Sequence, residues 1–219
     1  MVALKIMQDG HITRGEMLSS WAGAMGQTQY MPNNFVDYAI DFSGDGKADI
    51  WGNVADAMAS TGNYLHKYGW IPKLPWGFEV RVPANFDYRL GRGTFAEWTA
   101  RGVTRVDGKP YPANENGILF FPAGYKGPAF LVTRQFDNLK EYNNSDAYAV
   151  AVGHLADRIA GGGPIQAKWP ADDHQLSREA RKGLQKEMAK RGYKVKDFEG
   201  RIDFDLRDDI RIEQAKLGM

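Results

Sequence analysis

The hydrophobic rhythm of this chain changes twice. Up to about residue 70, and again after residue 133, apolar residues recur at helical spacing; in between they do not. There "GFEVRVP" alternates, "GILFFPAG" and "PAFLVT" are short apolar runs, and Gly and Pro punctuate them. The pattern predicts an α+β chain, mainly α, with a small β-rich subdomain over about residues 76–133. At 219 residues the chain is long enough to bury a proper core, as one large domain or as a domain plus a small module.

On the N-terminal side, "VALKIMQ" predicts the end of a helix, Asp9-Gly10 a turn and Thr13 a new helical start. Pro32 suits a first helical turn, and "NNFVDYAI" after it places Phe35, Tyr38 and Ala39 on one face. Asn53 reads as an N-cap with Asp56 three positions on. It opens a helix expected to bury Ala55, Met58, Ala59 and Leu65 and to close at Gly69. On the C-terminal side, "RQFDNLKEYNN" and "SDAYAVAVGHLADRIAG" predict two more helices. "GGGPIQAKWPADDHQ" reads as a linker. Beyond it, "LSREARKGLQKEMAKRGY" and "DFDLRDDIRIEQAKLG" predict a charged helical pair, with Leu184, Met188, Tyr193, Ile202, Leu206 and Ile210 as its core. The boundaries that follow are a domain over 1–160, a linker over 161–176 and a small helical module over 177–219.

From Met17 to Val36 the chain carries no charge. Ser, Gln, Thr and Asn make this run too polar to cross a membrane, and Gly and Ala make it a poor amphipathic helix. Small residues at Ala22, Gly23, Ala24 and Gly26 allow close backbone approach. Ser20, Gln27, Gln29 and Asn63 offer neutral hydrogen-bonding groups, while Trp21, Tyr30, Tyr64 and Tyr68 offer flat apolar faces. Such a set suits a sugar groove, where rings stack and hydroxyls need partners. A close contact between small-residue helices is the alternative.

Several classes of function are excluded or unsupported. Basic and acidic residues nearly cancel, 28 against 27, so no overall field argues for nucleic acid or an anionic membrane. Without cysteine there is no thiolate metal site, thiol catalysis or disulfide. No phosphate-cradling loop, dinucleotide fingerprint or HExxH is present. The four histidines, His11, His66, His154 and His174, are scattered and are expected at the surface or as caps.

"DFSGDGKADIWG" places Asp41, Ser43 and Asp45 at positions 1, 3 and 5 of an EF-hand-like loop, with Gly46 at the turn. Lys47 would offer its carbonyl at position 7 and Asp49 would stand at position 9. Oxygen ligands at alternating positions suit a structural Ca2+, although Gly52 replaces the bidentate Glu at position 12. The alternative is an Asp-Gly turn whose carboxylates cap local amides.

Taken together, "SWAGAMGQTQYMPNNFVDYAIDFSGDGKADIW" and "NYLHKYGW" resemble the core of the membrane-bound lytic murein transglycosylase B family. "EYNNSDAYAVAVGHLADRI" resembles that family's closing helix, and "LSREARKGLQKEMAKRGYKVKDFEGRI" the peptidoglycan-binding module often appended to it. The resemblance implies a lysozyme-like fold and a periplasmic or outer-membrane-associated location in a Gram-negative bacterium. It also implies cleavage of the β-1,4 bond between N-acetylmuramic acid and N-acetylglucosamine to a 1,6-anhydro product, with no cofactor required for catalysis. By the same resemblance, Ser20 orients the catalytic Glu, and Gln29, Tyr30 and Met31 line the groove. Tyr64, Tyr142, Asn143 and Tyr148 hold sugars near the cleaved bond, and Asp41, Ser43 and Asp45 belong to the metal site. Peptidoglycan glycan strands are the implied partner.

The family's catalytic Glu comes from an "ETxWG" or "ESxYG" segment well before "SWAGAMG", and the eighteen residues preceding Ser19 contain none. Glu16, the only glutamate among them, stands in the approach to the motif; Glu79, Glu97, Glu115 and Glu141 lie in other contexts. The expectation is a groove without its acid, in a chain truncated at its N-terminus. Apolar surface uncovered in that way would favour self-association. A non-catalytic peptidoglycan-binding protein and a calcium-stabilised structural module are the alternatives to an enzyme.

Overall fold

A computed structural model of the chain describes residues 1–171 and 176–218. His174 and part of the expected linker therefore lie outside the described residues. The architecture is α+β: eight helices and one five-stranded antiparallel sheet among the described residues. They divide into two compact units, Met1–Pro72 and Lys73–Met219.

The first unit holds α1 (Val2–Gln8), α2 (Pro32–Tyr38) and α3 (Val54–Lys67), joined by long irregular segments. The turn after α1 falls at Asp9-Gly10 as expected, but no helix follows Thr13. Thr13 and Glu16 close a single turn through the Thr13 hydroxyl, 2.6 Å from the Glu16 carboxylate. Gly15 and the Gly-rich run beyond it offer little to propagate a helix. α2 starts with Pro32 in its first turn and buries Phe35, which touches His11 and Trp51 at ring-centroid distances of 5.2 and 5.6 Å. Ala39 does not share that face, because the helix has ended and Ala39 is extended.

α3 is capped by Asn53, whose side chain accepts from the Ala55 and Asp56 amides. Its buried face differs from the expected one: Asp56, Ala57, Ser60 and Tyr64 point inward, while Met58 is 71% exposed. The reason is polar. The irregular segment before α3 presents backbone N–H groups that must be satisfied, and Asp56 and Ser60 satisfy them. Ser60 Oγ accepts from Ile40 N at 2.9 Å. An apolar face could not have done this.

In the second unit β1 (Gly77–Arg81), β2 (Arg92–Thr94), β3 (Thr104–Arg105), β4 (Asn116–Phe120) and β5 (Ala129–Val132) form a sheet in the order β2-β4-β5-β1-β3. It occupies the segment where the helical rhythm fails. β5 is buried throughout because both sheet faces are covered. On one face Leu131 joins Phe78, Leu119, Val103, Phe95 and Trp98. The last two come from α4 (Phe95–Ala100), a short helix absent from the sequence reading and held by a reciprocal Thr94–Glu97 capping box. On the other face Phe130 meets Trp76, and Phe136 meets Phe120. Phe136 belongs to α5 (Arg134–Tyr142), which packs on α6 (Asp146–Ile159).

The C-terminal helices α7 (Arg178–Lys190) and α8 (Phe204–Lys216) share this unit with the sheet. Phe204 stacks on Phe120 at 5.2 Å, and Arg211 donates to the Leu90 carbonyl. Upstream, the Glu79 carboxylate on β1 accepts from the Gln166 and Ala167 amides, clasping the expected linker to the sheet. Of the expected tail core, Met188 and Leu206 are buried, and Leu184, Tyr193, Ile202 and Ile210 are half-buried. The centre of the pair is polar: buried Gln185 accepts from Gly200 N and donates to the Arg201 carbonyl.

Candidate functional site

Up to α2, residues 17–31 of the uncharged run fold neither as a helix nor as a strand. Two isolated bridges, Ser19 with Met25 and Met25 with Tyr30, tie it into a tight double loop around buried Met25. Gly26 is required there on two counts. Its φ is +61°, and a Cβ would lie 2.6 Å from the Ile50 carbonyl oxygen. Next to it Gln27 N donates to that same carbonyl at 2.8 Å, and the Gln27 side chain donates to Trp51 O.

The neutral amides expected to meet sugar hydroxyls are thus partly committed to backbone. Gln29, itself at φ +54°, donates from its side chain to Gly26 O. Asn63 donates to Tyr38 O. Ser20 Oγ accepts from Ala24 N at 3.1 Å, which leaves the Ser20 O–H free to donate.

The aromatic faces divide in the same way. Trp21 is fully exposed at the loop tip, and Met31, the residue before α2, is 45% exposed. Tyr30 and Tyr64 are not on a surface: they are 1% and 5% exposed, and the Tyr30 hydroxyl donates to Ser60 O at 2.7 Å. Tyr64 stacks on Tyr68 at 4.5 Å and meets Tyr38 edge-on at 4.8 Å. The Tyr38 hydroxyl donates to Tyr68, and that bond holds the Tyr38 phenol above its usual range. Tyr38 and Tyr68 are the outward members of this cluster, and only Tyr68 was among the aromatic faces the sequence offered for a sugar groove.

Tyr142, Asn143 and Tyr148 are brought together at one corner of the second unit, where α5 ends and α6 begins. Asn143 is the C-cap of α5 and is exposed, whereas Tyr142 and Tyr148 are half-buried. Ser145 caps α6 by accepting from Tyr148 N, and burial raises the Tyr148 phenol.

In the Asp41–Gly52 loop the carboxylates serve local amides. Asp41 accepts from Gly44 N at 2.6 Å and Gly46 N at 2.8 Å, and also from the Ser43 hydroxyl. Asp45 accepts from Lys47 N, and Asp49 from Trp51 N and Gly52 N. Asp56, not singled out as a site residue, is the hub: it accepts from Phe42, Ser43 and Asp49 amides at 2.9–3.0 Å. Burial alone would raise this carboxyl, but the three N–H donors outweigh it and hold it below the ordinary carboxylate value. In the sequence Asp56 stood out only as an acid in the first turn of α3, off the face expected to be buried.

The fit of this loop to a cation is incomplete. Asp41, Ser43, Asp45, Asp49 and the Lys47 carbonyl supply hard oxygen donors. Among the described residues, however, no three acidic or histidine side chains converge on a point that could hold a metal ion. At the twelfth position a Cβ on Gly52 would lie 2.8 Å from the Asp49 carboxylate, so a side chain there would require Asp49 to move.

Residues 1–157 match the Transglycosylase SLT domain family. The chain is 30% identical over 155 residues to membrane-bound lytic murein transglycosylase B of Escherichia coli strain K12, covering 64% of this chain and 39% of that protein. It is 50% identical to SltB3 from Pseudomonas aeruginosa in complex with NAG-NAM-pentapeptide, with a TM-score of 0.88, covering 99% of this chain and 60% of that one. It is 27% identical to the Escherichia coli lytic transglycosylase Slt35 in complex with calcium, with a TM-score of 0.59, covering 73% of this chain and 51% of that one. The chain therefore spans about two fifths to three fifths of these relatives' lengths. The expected lysozyme-like α+β fold is that of these neighbours. The match over residues 1–157 establishes that the chain belongs to the Transglycosylase SLT domain family.

Proposed function

We propose that this domain acts on peptidoglycan glycan strands. It cleaves the β-1,4 bond between N-acetylmuramic acid and N-acetylglucosamine and closes a 1,6-anhydro ring on the muramyl product. The observation that carries this reading is the 50% identity, over 99% of the chain, to a protein solved with NAG-NAM-pentapeptide and with NAG-anhNAM-pentapeptide. The chemistry needs one carboxyl group. It protonates the leaving oxygen and then, as carboxylate, takes the proton of the C6 hydroxyl that attacks in place of water.

Ser20 suits the orienting role, since its oxygen is fixed by Ala24 N and its O–H can donate to a carboxylate. Gln29 and Met31 are proposed to line the groove, and Tyr142, Asn143 and Tyr148 to hold sugars. Tyr30 and Tyr64 are proposed to set the position of that segment from beneath. The 177–219 pair is proposed as a peptidoglycan-binding element. A periplasmic or outer-membrane-associated location follows from the substrate; no described helix is long and apolar enough to cross a membrane.

The loop carrying Asp41, Ser43, Asp45, Lys47 and Asp49 is proposed to take Ca2+ weakly, as a structural ion. The calcium complex of Slt35 supports this, and the carboxylates' commitment to amides argues for low affinity. Millimolar calcium should raise the melting temperature; no heat and no shift would reduce the loop to a hydrogen-bonded turn.

The decisive assay incubates the chain with purified murein sacculi and weighs the soluble muropeptides by mass spectrometry. Products one water lighter than hydrolysis products would support this reading and assign the acid to a carboxylate of this chain, Glu16 being the first to mutate. Hydrolysis-mass products would make the chemistry lysozyme-like. Co-sedimentation without soluble product would reduce the chain to a glycan-binding element.

A further inference from the structure

The second unit contains a cleft of about 230 Å3 between the sheet, α5 and the segment leading into α8. That is roughly the volume of eight waters, room for one or two amino-acid residues. Its lining is apolar at Ile118, Phe204 and Leu206 and carries charges of both signs elsewhere. Most of those charges are already paired. Lys196 lies 2.9 Å from Asp203 and 3.6 Å from Asp205, Arg92 lies 3.4 Å from Asp205, and Lys140 lies 2.9 Å from Asp146.

Two lining residues differ from the rest. Asp137 makes no hydrogen bond or ion pair among the described residues, although desolvation by the cleft walls raises its carboxyl against the pull of Lys140 and Arg92. Arg201 donates from Nη2 to the Asn144 carbonyl and forms no ion pair among the described residues, leaving the rest of its guanidinium fork for a ligand. Among the described residues Asp137 and Arg201 thus form no ion pair, and Asp197, the one remaining charge of the lining, accepts from the Glu199 amide.

We infer that this cleft binds a zwitterionic peptide, with Asp137 receiving an ammonium group and Arg201 a carboxylate. Ile118 and Phe204 supply the apolar surface for the methylenes between those charges. Asn144 lines the cleft and directly follows Tyr142 and Asn143, the residues proposed to hold sugars. A peptide carried on a bound muramyl sugar is therefore the occupant, and the inference rests on the peptidoglycan reading given above. Charge-assisted contacts are the stronger class of hydrogen bond, so the peptide should contribute measurably to affinity.

The test is calorimetric titration of the full chain with three ligands: the NAG-NAM disaccharide, the same disaccharide carrying the pentapeptide, and the free pentapeptide. The peptide-bearing ligand is expected to bind about tenfold tighter than the bare disaccharide or better. That gain should vanish in Asp137→Asn and Arg201→Gln, with melting temperature unchanged in both and disaccharide affinity unchanged in Asp137→Asn. Arg201→Lys, which keeps a cation and a donor for the Asn144 carbonyl, should retain part of it. Free pentapeptide bound with the same dependence on Asp137 supports the inference and extends it to peptides off the glycan. Equal binding of the first two ligands overturns it while leaving the peptidoglycan reading intact. Binding of none of the three overturns both.

Discussion

A single added methyl group at residue 26 has nowhere to go. It would press into the Ile50 carbonyl from a backbone already in the left-handed region. Gly26→Ala should therefore cost more than about 2 kcal/mol, from strain and overpacking together. Gly10→Ala, at φ +82° with nothing within 4 Å of its Cβ, should cost about 1–2 kcal/mol from backbone strain alone. Denaturant unfolding of both variants checks this; equal losses would mean that the Ile50 contact does not hold the double loop. Asp56 carries the second residue-scale prediction. Its native carboxyl lies below the ordinary value, so its contribution is complete above about pH 4 and is lost as pH falls through the native value. In Asp56→Asn an amide N–H2 replaces an acceptor facing three N–H donors. The melting temperature should drop sharply at pH 7, and the gap to the parent should close below pH 4. A gap constant down to pH 3 would show that the charge is not what organises the loop.

Among the elements, α3 and α8 show how position outranks composition. α3 turns a polar side inward because the segment it supports lacks regular hydrogen bonding, and Met58 is left in solvent. α8 meets the sheet through the Phe204 ring, the Arg207 guanidinium over Phe120 and the Arg92–Asp205 ion pair. Phe204 stacks on Phe120, reaches Phe136 at 6.0 Å, and has the Lys140 ammonium 4.7 Å from its centre. Phe204→Ala should cost about 2–3 kcal/mol, less than for a fully buried ring because Phe204 is half-buried. Hydrogen exchange should place the loss in α8 and its hold on the sheet, not in β4 or β5. Uniform deprotection of sheet and helix would show instead that α8 and the sheet open as one unit.

At the scale of the whole molecule, exposed apolar residues concentrate in the first unit: Leu18, Trp21, Val36, Phe42, Val54 and Met58 are each more than half exposed. Such surface favours association, and light scattering on the isolated chain should find species larger than a monomer. A strictly monomeric chain over a wide concentration range would remove that expectation. Much of this organisation was legible beforehand. The failure of helical rhythm between residues 76 and 133 marked the sheet, and Asn53 marked a helix start, because periodicity and capping act over a few neighbouring residues. The family motifs were legible for the same reason, as contiguous strings. The buried face of α3, the commitment of Gln27, Gln29 and Asn63 to backbone, the hub at Asp56 and the meeting of Asp137 and Arg201 in one cleft were not. Each depends on which carbonyl, amide or charge from a distant stretch of chain arrives alongside, and the sequence by itself determined the elements and the family, whereas only the tertiary structure decided which polar groups were spent on the fold and which remained to meet a ligand.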